Sequence, residues 1–243
     1  MNYKSRFYRS QSSERNVVFN VKLDTTDLHI AAERNLYNEA YLKVHELRVQ
    51  IENHIKERDE FLYSLKPLYY DGNLHPVIVD MYEAGMLAGV GPMAAVAGAI
   101  AEYTGKELLK FSREVIVENG GDTWMRLLSP AIAGIYTHNL YFKDKLWLWI
   151  SPEETPCSLC TSSGTLGHSL SFGKADAVTV IAENGALADA VATGACNIVQ
   201  DEHSMEHAID YAMSIKGVMG CVIVYRDVLA AKGSVEFCSP FDE

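Results

Sequence analysis

The amino-acid sequence predicts an α+β fold, in which residues 1–243 form one domain or two intertwined halves. Segments with helical periodicity alternate irregularly with short β-rich segments, several of which follow one another directly. This order is typical of α+β proteins rather than of a regular βαβ series. The hydrophobic fraction of 48% and the charged fraction of 22% are ordinary for a globular protein. A chain of this length buries about three quarters of its unfolded surface, so its core needs no disulfide or metal.

The N-terminal half is predicted to contain a β-hairpin and three helices. Short β-rich runs in residues 16–32 flank Asp24-Thr25-Thr26-Asp27, which predicts a hairpin with its turn at these four residues. Residues 35–65 carry apolar side chains at three- and four-residue spacing, the pattern of a long amphipathic helix. A second helix is expected over Val77 to Met86. Gly91-Pro92 then begins a third, rich in alanine and glycine.

The C-terminal half is predicted to hold most of the strands. Runs rich in valine, isoleucine and aromatic residues indicate strands, and longer periodic segments indicate helices. The expected helices run from Gly185 to Val199 and from Met205 to Ile215. The expected strands are Arg113–Asn119, Ile132–Tyr136, Leu146–Ile150, Ala177–Ala182, Cys221–Tyr225 and Val235–Cys238, with the last two closing the sheet.

Charge and composition exclude some classes of partner. The net charge is −11 and no block of lysine and arginine occurs, which argues against nucleic acid as the main partner. The N-terminus lacks the apolar core of a secretory signal. The uncharged run from Ala84 to Ala101 is interrupted by glycines and Pro92, which favours a buried turn and helix over a membrane span. We therefore expect a cytoplasmic protein whose five cysteines are thiols.

Asp189 and Thr193 lie four residues apart on the helix GALADAVATGA, so their oxygens fall on one face, one turn apart. A carboxylate and a hydroxyl suit Mg²⁺, with water or phosphate completing the shell. Such a pair commonly faces solvent instead. Here the neighbouring residues are small and apolar, and an acid in such a helix requires a partner or a cation.

The sequence Asn119-Gly120-Gly121-Asp122 directly follows a predicted strand. Two glycines leave backbone N–H groups open to a phosphate or to the edge of a flavin ring. The same four residues also fit a type I′ hairpin turn without any ligand. The pattern alone leaves both interpretations open.

Cys157 and Cys160 have the CxxC spacing. Half of a zinc site would need His168 as a third ligand, since no second CxxC follows. A redox pair lacks the helix N-terminus that would lower a thiol pKa. The spacing also fits Cys160 as a lone nucleophile or sulfur carrier, and it fits two inert buried thiols. His168 fits a general base or a loop histidine equally well.

Three segments resemble a known family. Gly91–Glu102, VIVENGGD at 115–122 and Cys160–Thr193 are similar to an uncharacterised branch of the ApbE-like superfamily, whose parent group comprises FAD-dependent protein FMN transferases. The resemblance covers most of the chain. It implies an α+β architecture in which sheets are flanked by helices, with a pocket between two halves.

The resemblance also implies a set of site residues. Asp189 and Thr193 match the helix that supplies Mg²⁺ ligands in the flavin transferases, and the Asn-x-Gly-Gly strand end near the flavin is similar to Asn119–Asp122. Departures accompany these matches: the lysine of an Ala-Lys-Gly motif is replaced by Ala97, and an Asp-Pro-x-Thr-Gly motif does not follow the histidine. The positions carried over for cofactor binding are Gly98, Asn119, Gly120, Gly121, Asp122 and Gly164.

Cys160 stands where the flavin transferases usually have alanine, which together with the resemblance suggests reassigned chemistry. The first hypothesis is a cysteine-based sulfur-handling protein of sulfide assimilation, with a persulfide on Cys160 polarised by His168, Thr161 and Ser162. The second is a Mg²⁺-dependent FAD:protein FMN transferase or a flavin-binding protein. A non-catalytic partner protein of the same fold is the third. The partner would be a small molecule or an acceptor protein, and a homodimer is compatible with the sequence.

Overall fold

The computed structural model describes residues 16–137, 139–143, 145–165 and 172–239. It begins with an antiparallel hairpin of β1 (Val17–Leu23) and β2 (Thr26–Ala32). The hairpin was predicted, but its turn is shorter than expected because Thr26 pairs with Leu23. Asp24, with φ of 50°, takes the left-handed conformation that aspartate tolerates in tight turns.

The predicted long helix is broken in two. The first part, α1 (Tyr37–Glu57), buries Ala40, Val44, Leu47 and Ile51 on one face, as the periodicity indicates. Arg58 then leaves the helical conformation, and its guanidinium donates to the carbonyl oxygen of Tyr69 and to the hydroxyl of Tyr82. A short second part, α2, covers Glu60–Tyr63.

A glycine-containing turn separates the next two helices. Helix α3 (Pro76–Ala88) ends at Gly89 in the left-handed conformation, and a 3₁₀ turn over Pro92–Ala95 leads into α4 (Val96–Leu108). Among the described residues, no single helix has the length and apolar character needed to cross a membrane. Only α3 taken together with Pro92–Leu108 meets that test of length and composition, and the two are bent by 106°.

Nine further strands and two further helices follow in the described part of the chain. In chain order they are β3 (Val115–Asn119), β4 (Asp122–Arg126), β5 (Ala131–Gly134), β6 (Trp147–Ile150), β7 (Cys157–Ser162), β8 (Ala177–Ala182), α5 (Gly185–Ile198), α6 (Ser204–Ser214), β9 (Val218–Tyr225), β10 (Val228–Gly233) and β11 (Phe237–Cys238).

Eight strands form one antiparallel sheet in the order β1-β2-β3-β4-β7-β8-β9-β10. The other three strands form a small antiparallel sheet in the order β11-β6-β5. The prediction that residues 235–238 close the main sheet is therefore wrong, because Phe237 and Cys238 pair with Leu148 and Trp147 of β6.

The main sheet separates two apolar clusters. Trp124 faces the helices and packs in the larger cluster, whereas the next residue, Met125, belongs to a smaller cluster shared with β6. Successive side chains of a strand point to opposite faces, so the central strands of this sheet contribute to both clusters. The fold is α+β, as predicted, with helices on one face and the small sheet on the other.

Candidate functional site

The N-terminus of α4 is capped by a side chain from α5. Asp189 Oδ2 accepts the backbone N–H groups of Ala97 at 3.1 Å and of Gly98 at 2.9 Å. The N-cap residue Ala95 has no side chain able to fill this role. The first N–H groups of a helix have no intrahelical acceptor, so Asp189 satisfies two of them and meets the partial positive charge there.

The N-terminus of α5 is capped in turn by a side chain from α4. The carboxylate of Glu102 in α4 is buried and accepts the backbone N–H of Gly185 at 2.7 Å, while Lys106 forms an ion pair with it. Asn184 adds a local cap by accepting the N–H of Leu187 at 2.8 Å. Each helix therefore supplies an acid that satisfies the N-terminus of the other.

The diglycine sequence is a two-residue hairpin turn between β3 and β4. Asn119 and Asp122 are directly paired, and Gly120 and Gly121 have φ of 73° and 115°. Positive φ at both central positions is the requirement of a type I′ turn, so the turn interpretation is confirmed. A Cβ at either glycine would have no neighbour within 4 Å, so the tip faces open space.

The hairpin also contacts the capped end of α4. Asn119 Nδ2 donates to the carbonyl oxygen of Ala97 at 3.1 Å, while the N–H of Ala97 donates to Asp189. The backbone of Ala97 is thus held by two predicted site residues from distant parts of the sequence.

Asp122 directly follows the turn of the same hairpin and is buried. Its Oδ1 accepts the backbone N–H of Thr161 at 3.2 Å, and the Cys160 thiol hydrogen-bonds to its carboxylate. Burial raises the pKa of Asp122 to about 7, with a further contribution from the charge of Glu118, against the lowering effect of the two hydrogen bonds.

Asp189 has a raised pKa for related reasons. Burial of the carboxylate is the largest cause, and the negative charge of Asp122 adds to it, while the N–H groups of Gly98 and Ala97 act in the opposite direction. The two acids, 67 residues apart in the sequence, therefore lie close enough to influence one another. This convergence brings β4 and α5 together at the N-terminus of α4.

Cys160 lies between these groups but is not a reactive thiol. Its side chain is fully buried, with Sγ 3.8 Å from the carbonyl oxygen of Gly185. Burial raises the pKa of the Cys160 thiol well above its usual range, and the charges of Asp122 and Asp189 raise it further. The expected persulfide carrier at the lip of a pocket is not supported, because the thiolate is disfavoured and solvent does not reach the sulfur.

Cys157 and Cys160 do not form a pair. They are three residues apart on β7, so they point to opposite faces of the sheet, and each belongs to a different apolar cluster. Neither takes part in a disulfide. Within the described part of the chain, no three His, Cys, Asp or Glu side chains are grouped as a metal site. The redox-pair and zinc interpretations are therefore wrong for the residues described.

The other predicted residues of this segment have different outcomes. Thr161 Oγ1 bonds to Thr179 Oγ1 at 2.8 Å and so does not polarise Cys160. Ser162 is buried, and its hydroxyl has no hydrogen-bond partner among the described residues. A Cβ on Gly164 would lie 2.0 Å from the carbonyl oxygen of Gly173, so this glycine is needed for backbone packing. His168 lies outside the described residues.

The sequence did not single out Glu102. Its position after the apolar run AGAIA is the same kind of signal that drew attention to Asp189, an acid in a helix of small apolar residues. Thr193 lies one turn beyond Asp189 on α5 and is also buried, so the two predicted metal ligands share the helix as expected.

Comparison with known proteins identifies the family. The model of a family described as AbpE bacteria matches residues 9–216, most of the chain. The chain belongs to this family. Relatives include a UPF0280 protein of Methanocaldococcus jannaschii, 38% identical over 193 residues that cover 77% of this chain and 78% of that protein. Another is a UPF0280 protein of Methanobrevibacter smithii, 34% identical over 220 residues, or 88% of this chain and 92% of that protein.

Solved structures agree with this assignment at the level of the fold. The flavin transferase ApbE from Vibrio cholerae has a TM-score of 0.61 at 11% identity, covering 90% of this chain and 97% of that chain. The flavinyl transferase ApbE of Pseudomonas stutzeri has a TM-score of 0.55 at 11% identity, covering 92% of this chain and 96% of that chain. The resemblance found in the sequence is confirmed: the chain is a member of the UPF0280-type branch and has an ApbE-like fold.

Proposed function

We propose that this protein binds a flavin nucleotide together with a divalent cation, and that its reaction, where it catalyses one, is flavin transfer of the ApbE type. The observation that supports this most directly is that Asn119 of the hairpin and Asp189 of α5 both bond to the backbone of Ala97. Asn119 pairs with Asp122, so both acids are brought to the N-terminus of α4. Sulfur chemistry on Cys160 is not part of the proposal, since the thiol is buried.

The donors at the site fit a divalent cation. Asp189 uses Oδ2 for the two N–H groups of α4, so its second oxygen is available, and the hydroxyl of Thr193 lies one turn along the same helix. Asp122 adds a second carboxylate. Burial raises the pKa of both acids, and the charge of Asp122 raises the pKa of Asp189 further, an arrangement that a cation would stabilise. Two carboxylates and a hydroxyl are hard ligands, with water or phosphate oxygens completing the shell.

The hairpin and the start of α4 would receive the nucleotide. The tip at Gly120 and Gly121 faces open space, so the edge of a flavin ring can approach the backbone closely, while the N–H of Gly121 is bonded to Glu118 Oε1 at 2.8 Å. Asn119 fixes the Ala97 carbonyl and thereby holds the end of α4 against the hairpin. The buried Cys160 thiol lies beside the Asp122 carboxylate and donates to the carbonyl oxygen of Gly185 at the start of α5. A bound cation would neutralise the diphosphate of the nucleotide.

The test is a titration with FAD and with FMN, followed by flavin fluorescence, in millimolar Mg²⁺ and in a parallel sample with chelator. The proposal expects saturable binding that requires Mg²⁺ and weakens at least about tenfold in Asp189→Asn. Glu107→Gln is the matched control, since Glu107 lies on α4 and pairs with Lys110 away from the site. No flavin binding with Mg²⁺ present would overturn the proposal and favour a non-catalytic partner protein.

A further inference from the structure

Glu102 is a buried acid that the proposed function does not use. Its Oε2 accepts the N–H of Gly185 and its other oxygen is paired with Lys106, so both oxygens are occupied. Gly185 is the first residue of α5, and Asp189 follows one turn later. The position of the Asp189 carboxylate is therefore tied to the bond that Glu102 makes.

We propose that Glu102 is a positioning residue: it holds the first turn of α5 against α4, so that Asp189 stays bonded to Ala97 and Gly98 and is presented toward Asp122. This proposal rests on the proposed function only in the identity of the ligand that Asp189 binds. The contacts themselves are the reciprocal bonds, Gly185 N–H to Glu102 and Gly98 N–H to Asp189.

The ion pair with Lys106 engages one oxygen of Glu102 and leaves the other to the N–H of Gly185. A glutamine at this position retains the length of the side chain and a carbonyl acceptor, but it is neutral and cannot form the ion pair. An alanine removes both the acceptor and the charge and leaves the Gly185 N–H without its partner. The two substitutions therefore separate the hydrogen bond from the ion pair.

The first measurement is amide hydrogen exchange at Gly98 and Gly185 in metal-free protein. We expect Glu102→Ala to speed exchange at both amides by about tenfold, the scale of one lost hydrogen bond, and Glu102→Gln to restore most of the protection. The amide of Leu109, bonded to Gly105 at the other end of α4, is the internal reference and should change little. The variant Glu107→Gln should match the wild type.

A general loss of stability would speed exchange at Leu109 as well, and that result would overturn the positioning role. Faster exchange at Gly185 with unchanged exchange at Gly98 would also overturn it, because the bond from Gly98 to Asp189 would then not depend on Glu102. The second measurement, Mn²⁺ affinity by electron paramagnetic resonance, should show about tenfold weaker binding in Glu102→Ala and near-normal binding in Glu102→Gln. If the wild type binds no Mn²⁺, the proposed function fails and the exchange data alone decide the role of Glu102.

Discussion

Gly98 of α4 and Gly185 of α5 pack backbone against backbone. A Cβ on Gly98 would lie 2.1 Å from the carbonyl oxygen of Gly185, and a Cβ on Gly185 would lie 2.1 Å from the carbonyl oxygen of Gly98. Both glycines are required because two helices approach here more closely than any side chain allows. The same approach brings Glu102 and Asp189 within reach of the opposite helix N-termini.

The substitution Gly98→Ala should force these helices apart. We expect a loss of about 1–3 kcal/mol in the free energy of unfolding, the usual range for overpacking a tight site. Urea denaturation measures it. Because Asp189 moves with α5, cation affinity should fall as well. Glu107→Ala on the same helix is the control, and a Gly98→Ala variant as stable as that control would show that the contact is looser than described.

Stability should depend on pH through Asp122. Its pKa is raised from an ordinary value of 3.8 to about 7, so the native state holds this proton more tightly than the unfolded state does. The stabilisation is complete below about pH 4 and is lost as the pH rises to about 7. Its size is about 4 kcal/mol at most, from about three pKa units at 1.36 kcal/mol each.

Urea unfolding of chelator-treated wild type and Asp122→Asn from pH 4 to pH 8 isolates this effect. The asparagine cannot titrate. The unfolding free energy of the wild type, less that of the variant, should therefore decrease across that range and then level off. A difference that stays constant, or one that grows with pH, would mean that Asp122 is ionised throughout.

The thiol of Cys160 should be inert in the folded protein. Alkylation by iodoacetamide at pH 8, followed by mass spectrometry, should modify this residue at least about 100-fold more slowly than in urea-unfolded protein, since the sulfur is buried and its pKa is raised. A polysulfide, from which a reactive thiolate takes a sulfane sulfur with release of a shorter polysulfide or sulfide, should leave no persulfide there. Rapid alkylation or a stable persulfide on Cys160 under native conditions would restore the sulfur-carrier hypothesis.

The elements that the sequence predicts well have either a long helical period or a short, continuous apolar run rich in valine and isoleucine. Helix α5 was expected from Gly185 to Val199 and ends at Ile198, and β8 has the predicted bounds. Strand β7 was missed because Cys157–Ser162 consists largely of small and polar residues with little β-propensity. This segment forms a strand because it pairs with β4 and β8 at the centre of the sheet, and not because of the β-propensity of its own residues.

The sequence could predict that Asn119, Asp122 and Asp189 lie together, whereas their chemistry is a proposal. The resemblance and the apolar surroundings of Asp189 both pointed to an acid that needs a partner, and the first partner turns out to be the backbone of α4. Glu102 was missed because its role depends on a helix crossing that no local pattern encodes. Cys160 was misassigned because its burial follows from strand direction, which a loop interpretation of the segment cannot supply.

The dissociation constant for Mn²⁺, measured by electron paramagnetic resonance in wild type and in Asp189→Asn, tests the central claim most directly. The claim that Asp189, Thr193 and Asp122 hold a divalent cation predicts one site per chain in the wild type, at least about tenfold weaker in Asp189→Asn and unchanged in Glu107→Gln. Equal Mn²⁺ affinity in wild type and Asp189→Asn would contradict it, and Asp189 would then serve only as the cap of α4.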